Sequence, residues 1–414
     1  MISVHIEKVV YGGSGLGRLP DGRAVFVPFT APGDDVMIEI DREHPRHAEA
    51  HLCEVRTPST DRTPPRCPHF GQCGGCQYQH IDYQAQVRIK RDQLLETLQR
   101  LGGFRDLPPV AELVPSPSPY NYRNKLTLHR FQPPSTPGSD TASPGRTPAT
   151  APHFGFATSA GDSAFTPAEC HLPLPHLWEY VATQIAEFAA MPESIPEDTE
   201  RITFRAPSEG APVHVFDRGR SDREWLEETV GDWSFAVPPR AFWQVNPAIV
   251  PALASIVQNW TSDGGQTFLD AYAGVGLFSV TAGLSFRERV LIETDRQAMH
   301  AARRNHESHS SGATRFLPMP TEVGLKKSLQ KSRRQLADTT VVLDPPRAGC
   351  SGDVLATLNR LRPGRVVYVS CDPSTLARDL RKLTASGHYR LRRLAMLDMF
   401  PQTAHFETVA LLEQ

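Results

Sequence analysis

The run Val366-Val367-Tyr368-Val369-Ser370-Cys371-Asp372-Pro373 carries four strand-forming apolar residues into a cysteine, and the Asp-Pro that follows stops the strand. That pattern predicts Cys371 at the carboxyl end of a parallel strand, the edge of an open α/β sheet where ligands bind. A thiol there can act as a nucleophile when its thiolate is favoured. A lone cysteine is more often a buried, inert one, so its companions decide. Three of the seven cysteines stand together in Cys67-Pro68-His69-Phe70-Gly71-Gln72-Cys73-Gly74-Gly75-Cys76, a C-x5-C-x2-C spacing in a glycine-rich loop. Thiolates so spaced suit zinc or an iron–sulfur cluster, and the ligands alone do not separate the two. Either needs a fourth ligand. Cys170, in Ala168-Glu169-Cys170-His171-Leu172-Pro173, is the best candidate, ahead of Cys53 and His69.

Leu269-Asp270-Ala271-Tyr272-Ala273-Gly274-Val275-Gly276 reads as a strand, a G-x-G turn and a helix start. Gly274 and Gly276 let a ligand approach the turn, with a helix N-terminus behind it. The next strand ends at Glu293, where a carboxylate can grip ribose hydroxyls. The full G-x-G-x-x-G spacing is missing. That favours an adenosine-type cofactor such as S-adenosylmethionine, with NAD the alternative. The fourth strand of this region ends Leu343-Asp344-Pro345-Pro346-Arg347, so Asp344 overlooks the same crevice unless it merely caps a helix. His405 and Glu407 begin the last strand, and Glu407 is a general-base candidate near the sheet's active edge.

These residues need scaffolds. A chain of 414 residues suggests two or three domains. Residues 1–58 read as an all-β small barrel, with alternating runs broken at Gly12-Gly13-Ser14-Gly15, Asp21-Gly22 and Pro32-Gly33-Asp34. Residues 59–240 read as a central α+β domain holding the cysteine loop. It includes a helix over 82–101, whose Arg88, Lys90 and Arg91 form either a solvated face or an RNA contact, and a second helix over 177–190. Tyr120-Asn121-Tyr122-Arg123-Asn124-Lys125 mixes aromatics with Arg, Asn and Lys, a pattern suited to single-stranded RNA. The stretch 132–152 is Pro/Ser/Thr-rich and reads as a disordered insertion. Residues 241–414 alternate strand and helix as a doubly wound Rossmann-like sheet. The net charge of −2 excludes a global basic surface, so any nucleic-acid contact is local. No apolar run spans a membrane and the N-terminus reads as a strand, so a cytoplasmic monomer with no obligate protein partner is expected.

The N-terminal residues Ile6-Glu7, Gly15-Leu16-Gly17, Val25-Phe26-Val27-Pro28 and Pro32-Gly33-Asp34-Asp35-Val36 resemble a TRAM domain, an RNA-binding barrel. With the cysteine loop, Phe242-Trp243-Gln244-Val245-Asn246-Pro247, Asp344-Pro345-Pro346-Arg347, Ser370-Cys371-Asp372-Pro373 and Phe400-Pro401 through His405-Phe406-Glu407, nearly the whole chain resembles the RNA uracil-5-methyltransferases. The likeness is to the subgroup with a TRAM domain and an iron–sulfur cluster. It implies methyl transfer from S-adenosylmethionine to carbon 5 of a uridine in structured RNA, ribosomal RNA favoured over tRNA, through a covalent cysteine adduct. By the same resemblance Cys67, Cys73, Cys76 and Cys170 hold a 4Fe–4S cluster. Gln244, Tyr272, Glu293 and Asp344 line the cofactor and uracil pocket, Cys371 is the nucleophile and Glu407 the base. Two departures stand out: Leu277, where many members carry a polar residue, and Met319, where members place Asp or Asn near the adenine. The competing readings are an RNA cytosine-5-methyltransferase and a non-catalytic RNA-binding metal protein.

Overall fold

The computed structural model describes residues 1–132, 153–161, 163–218, 223–309, 313–331 and 336–414. The expected insertion at 132–152 therefore falls outside the described residues, apart from Gln132. In chain order the strands and helices are β1 (Ile2–Val9), β2 (Ser14–Arg18), β3 (Ala24–Pro28), β4 (Asp35–Glu43), β5 (His47–Thr57), α1 (Tyr83–Arg100), β6 (Val110–Val114), β7 (Lys125–Phe131), β8 (His153–Ala157), β9 (Ala164–Phe165), α2 (Pro175–Ala190), β10 (Arg201–Arg205) and β11 (Val213–Phe216). There follow β12 (Leu226–Val230), β13 (Trp233–Val237), α3 (Val250–Trp260), β14 (Gly265–Ala271), α4 (Leu277–Thr281), β15 (Phe286–Ile292), α5 (Arg296–His309), β16 (Ala313–Leu317), α6 (Thr321–Lys331), β17 (Thr339–Leu343), α7 (Gly352–Leu361), β18 (Arg365–Ser370), α8 (Pro373–Thr384), β19 (Arg390–Leu397) and β20 (Glu407–Glu413). No helix among the described residues is long and apolar enough to cross a membrane.

The chain forms two compact units. The first holds residues 1–9, 13–82 and 119–224. Its N-terminal part is a closed five-stranded barrel in the order β1-β2-β3-β5-β4. Alternation puts Val4, Ile6, Val25, Val27, Val36 and Ile38 into one apolar core. The small residues of β2 are required by this closure, because a Cβ at Gly17 would overlap Val4 and the His5 carbonyl. The rest of the unit is a five-stranded sheet, β11-β10-β7-β8-β9, covered by α2 through Leu177, Val181 and Phe188.

The second unit holds residues 10–12, 83–118 and 225–414. Its eight-stranded sheet runs β16-β15-β14-β17-β18-β20-β19-β6. β14 to β18 are mutually parallel, and β20 is antiparallel to both neighbours. Both faces are covered, so the strands are near-continuous apolar runs: β17 and positions 366–370 of β18 are wholly buried. One face packs Phe268, Val342, Val367, Val409 and Leu411 against α3, and the other packs Leu269, Val341, Val366, Tyr368 and Leu412 against α7 and α8. The chain winds outward from β14 through β15 to β16, then restarts at β17 on the other side. The switch point lies between β14 and β17, where open α/β sheets form their ligand crevice.

The central domain expected over 59–240 is divided between these units. Residues 83–118 join the second, because β6 pairs in parallel with β19 and α1 buries Val87, Leu94 and Leu98 in the core under α8. The β12–β13 hairpin joins it too, since Val230, Phe235 and Val237 pack into the core with α3. Their alternation marks them as strands, but not which core they enter.

Candidate active site

The carboxyl edge of the switch point opens into a cavity of about 590 Å³. Tyr272 to Val275 line it after β14, Glu293 after β15, Asp344 to Arg347 after β17 and Cys371 after β18. β20 runs the other way, so its first residue, Glu407, meets the same edge. The register makes this specific: Ser370 pairs with Thr408, which sets Cys371 and Glu407 side by side. Of the sequence-predicted residues, Gln244, Tyr272, Gly274, Glu293, Asp344, Cys371 and Glu407 all line this cavity. Gly276 does not. It caps α4 in the left-handed region at φ 91°, two residues further along the same turn. Leu277 lines the cavity as an apolar wall, whereas Met319 packs against the core.

The G-x-G turn is held by Glu293, whose Oε2 accepts from Gly274 N at 3.0 Å and whose Oε1 accepts from Asp295 N at 2.8 Å. Tyr272 adopts φ 66°, a left-handed conformation uncommon for an aromatic residue and typical of a constrained site. Beneath the turn, Asp270 accepts from Ser279 N at 3.0 Å. Burial pushes its carboxyl up to about 7.

Four charged or ionisable groups meet at the deep end. Burial, then the Glu407 carboxylate, push the Cys371 thiol up to about 12, and the Arg347 guanidinium pulls it down. Glu407 is 3% exposed, and burial followed by the charge of Asp344 holds its carboxyl well above the usual range, again against Arg347. Asp344 is itself raised by burial and then by Asp270. Arg347 is thus the cation that favours the charged forms of both Cys371 and Glu407. Asp372 caps α8, accepting from Ser374 N at 2.9 Å and Thr375 N at 3.0 Å, which orients the turn carrying Cys371.

Two neighbours were not singled out as site residues from the sequence. Arg347 was visible only as the end of the Asp344-Pro345-Pro346-Arg347 block. Tyr11 was not visible at all: its hydroxyl lies 3.4 Å from Asp372 Oδ2 and 3.4 Å from His405 Nδ1, across 361 and 394 residues of chain. Phe242, at the cavity, is 63% exposed, a large apolar ring facing solvent. Lys90 reverses an expectation: it is fully buried and pairs with Asp398 at 2.7 Å, so it belongs to no RNA-facing surface of α1.

In the other unit the four expected thiols, Cys67, Cys73, Cys76 and Cys170, lie close enough for every pair to act electrostatically on one another, and burial pushes Cys76 and Cys170 up to about 12. Cys53 is exposed, and His69 uses its Nε2 to accept from Ala168 N at 3.0 Å. That bond ties the Cys170 segment to the loop. The sulfurs receive donors: Gly75 N to Cys73 Sγ at 3.4 Å and Gln79 Nε2 to Cys76 Sγ at 3.2 Å. Gln79 Oε1 also accepts from Cys67 N at 3.0 Å. Gly74 lies against β8, where a Cβ would come within 2.9 Å of the Thr158 carbonyl.

Residues 222–414 match the tRNA (uracil-5-)-methyltransferase family and residues 1–53 the TRAM domain. An uncharacterised RNA methyltransferase of Synechocystis is 31% identical, aligned across 100% of this chain and 96% of its own. Another from Thermotoga maritima is 30% identical over 99% of this chain and 98% of its own. The fold matches the crystal structure of Pyrococcus abyssi tRNA (uracil-54, C5)-methyltransferase in complex with S-adenosyl-L-homocysteine, with a TM-score of 0.70 at 24% identity, covering 99% of this chain and 100% of that one. The chain belongs to the RNA uracil-5-methyltransferase family with an N-terminal TRAM domain, enzymes that depend on S-adenosylmethionine.

Proposed function

We propose that this enzyme methylates carbon 5 of a specific uridine in structured RNA through a transient Cys371–uracil bond. The observation that carries the reading is the side-by-side arrangement of Cys371 and Glu407 at the switch-point cavity, with Arg347 facing both. Carbon 5 of uracil is too weak a nucleophile to take a methyl group unaided. Cys371 Sγ adds to carbon 6, and the electron pair of the carbon 5–carbon 6 double bond moves into an enolate. S-adenosylmethionine supplies an electrophilic methyl group that carbon 5 can then accept. Glu407 removes the carbon 5 proton, the double bond re-forms, and the sulfur–carbon 6 bond breaks with its electrons returning to sulfur. Arg347 favours the thiolate at both ends of the cycle.

Cofactor binding falls to Glu293, Tyr272, Gly274, Gln244 and Asp344, with Gly276 holding the turn. Glu293 suits ribose hydroxyls, and the Gly274 turn admits the ligand backbone-close. The exposed ring of Phe242 suits stacking on a base drawn out of the RNA. Cys67, Cys73, Cys76 and Cys170 would hold a 4Fe–4S cluster, since four mutually close, half-buried thiols, with N–H donors to Cys73 Sγ and Cys76 Sγ, fit a thiolate-bound centre. The domain assignment proposed is a TRAM barrel over 1–58, with the methyltransferase sheet in the C-terminal part. We place the enzyme in the cytoplasm as a monomer.

Ribosomal RNA is the favoured target, on the likeness to the subgroup that combines a TRAM domain with a cysteine cluster. Nucleoside mass spectrometry of ribosomal and transfer RNA from a deletion strain tests it: one 5-methyluridine should vanish from ribosomal RNA and return on complementation. Loss from tRNA alone would replace the target, and loss of 5-methylcytidine would replace the reaction.

A further inference from the structure

The segment 398–406 joins β19 to β20 and delivers Glu407 to the cavity. It is held from below by two polar side chains one turn apart on α1. Lys90 Nζ donates to Asp398 Oδ1 at 2.7 Å and to the Phe400 carbonyl at 3.1 Å. Gln86 makes a two-point amide clamp on Gln402: its Nε2 donates to Gln402 Oε1 at 2.9 Å, and its Oε1 accepts from Gln402 N at 3.1 Å. Gln86, Lys90 and Asp398 are all 0% exposed. The clamped residue, Gln402, sits at φ 68°, a conformation that costs energy in a non-glycine residue and persists only where its surroundings impose it. From there Thr403 Oγ1 donates to the Phe400 carbonyl at 2.9 Å and accepts from His405 N at 3.1 Å, so the lock runs on to the residues beside Glu407.

A buried ion pair is a poor device for stability, because well-packed apolar residues of similar size serve as well or better. What a dry, hydrogen-bonded lock does provide is one geometry. Resting on the reading that Glu407 removes the carbon 5 proton, we propose that Lys90 and Gln86 are positioning residues that hold the 398–406 segment so that Glu407 meets that proton. Cys371 is carried instead by β18, held by its parallel pairing with β17, and by the α8 cap, which meets the locked segment through Tyr11, whose hydroxyl lies 3.4 Å from both His405 Nδ1 and Asp372 Oδ2. Loosening the lock therefore impairs the late, base-dependent step and spares formation of the cysteine adduct.

Two variants test this. Lys90→Met/Asp398→Val removes both charges together, so neither is left buried alone. Gln402→Gly removes the side chain that Gln86 grips while keeping a residue at ease at positive φ. Both are assayed for adduct formation with a 5-fluorouridine RNA, which is trapped after addition, and for breakdown of the methylated adduct on the uridine RNA. Adduct formation should stay at the wild-type rate. Breakdown should slow by about 10²-fold, the scale of an ångström of misplacement, so that covalent methylated RNA accumulates. Breakdown at the wild-type rate in both variants, or equal losses in both steps, overturns the positioning role. If the double variant does not fold, Gln402→Gly decides alone. A wild-type enzyme that forms no adduct defeats the underlying mechanism instead, which keeps the two failures apart.

Discussion

The residue that most constrains the chemistry is Cys371, because its surroundings work against its reactive form. Burial and a neighbouring carboxylate hold the thiol near 12, and Glu407 is raised for the same kind of reason. Both groups act deprotonated, and both have raised affinities for their protons, so both gain their active form as pH rises. Adduct formation should climb between about pH 6 and 9, by up to tenfold per unit while thiolate is scarce. A rate that falls over that interval would contradict this picture. Arg347 opposes the shift, so Arg347→Met should slow adduct formation tenfold or more and move the pH profile upward, readable by rapid-quench trapping. An unchanged profile would remove Arg347 from the account. At this scale the sequence exposed Cys371, Asp344 and Glu407, because each sits where an apolar run starts or stops. It hid Tyr11, since nothing local to Val9-Val10-Tyr11-Gly12 records contacts with Asp372 and His405.

Among the elements, the cysteine loop and α1 show different limits. Spacing singled out Cys67, Cys73 and Cys76 in the loop, and Cys170 stood as the best fourth candidate ahead of Cys53 and His69. Gln79 was not, because its bonds to Cys76 Sγ and Cys67 N arise from how the loop closes. Hydrogen bonds to cluster sulfurs raise reduction potential. Gln79→Leu should therefore still assemble a brown iron protein, but with a lower potential in an anaerobic redox titration. Colourless protein containing one zinc would defeat the cluster, and an unchanged potential would defeat the role of Gln79 alone. The helix α1 was expected over 82–101 and forms over Tyr83–Arg100, yet its partner was misjudged. Lys90 reads as a surface residue in any helical pattern. Asp398, 308 residues away, supplies the opposite charge that makes its burial tolerable.

Across the whole molecule, the order of strands and helices in the last third was readable, since buried parallel strands write themselves as short apolar runs. Which core the outlying pieces join was not, because β6 and the β12–β13 hairpin choose their sheet through pairing that local pattern cannot specify. The unit carrying the cavity should be stabilised by a ligand that binds only the folded state. S-adenosylhomocysteine at a hundredfold its Kd should add about 2.7 kcal/mol, read as a rise in Tm. Glu293→Ala should abolish that rise by freeing the Gly274 turn. A full shift in the variant would mean that the ligand is held elsewhere.

The central claim is that Cys371 acts before methyl transfer and Glu407 after it. The most direct measurement is denaturing gel electrophoresis of Cys371→Ala and Glu407→Gln with RNA and methyl-labelled S-adenosylmethionine. Glu407→Gln should accumulate a protein–RNA band that carries the labelled methyl group, stalled before elimination. Cys371→Ala should give neither band nor methylated RNA. Normal turnover by Glu407→Gln, or methylation of uridine by Cys371→Ala, would contradict it.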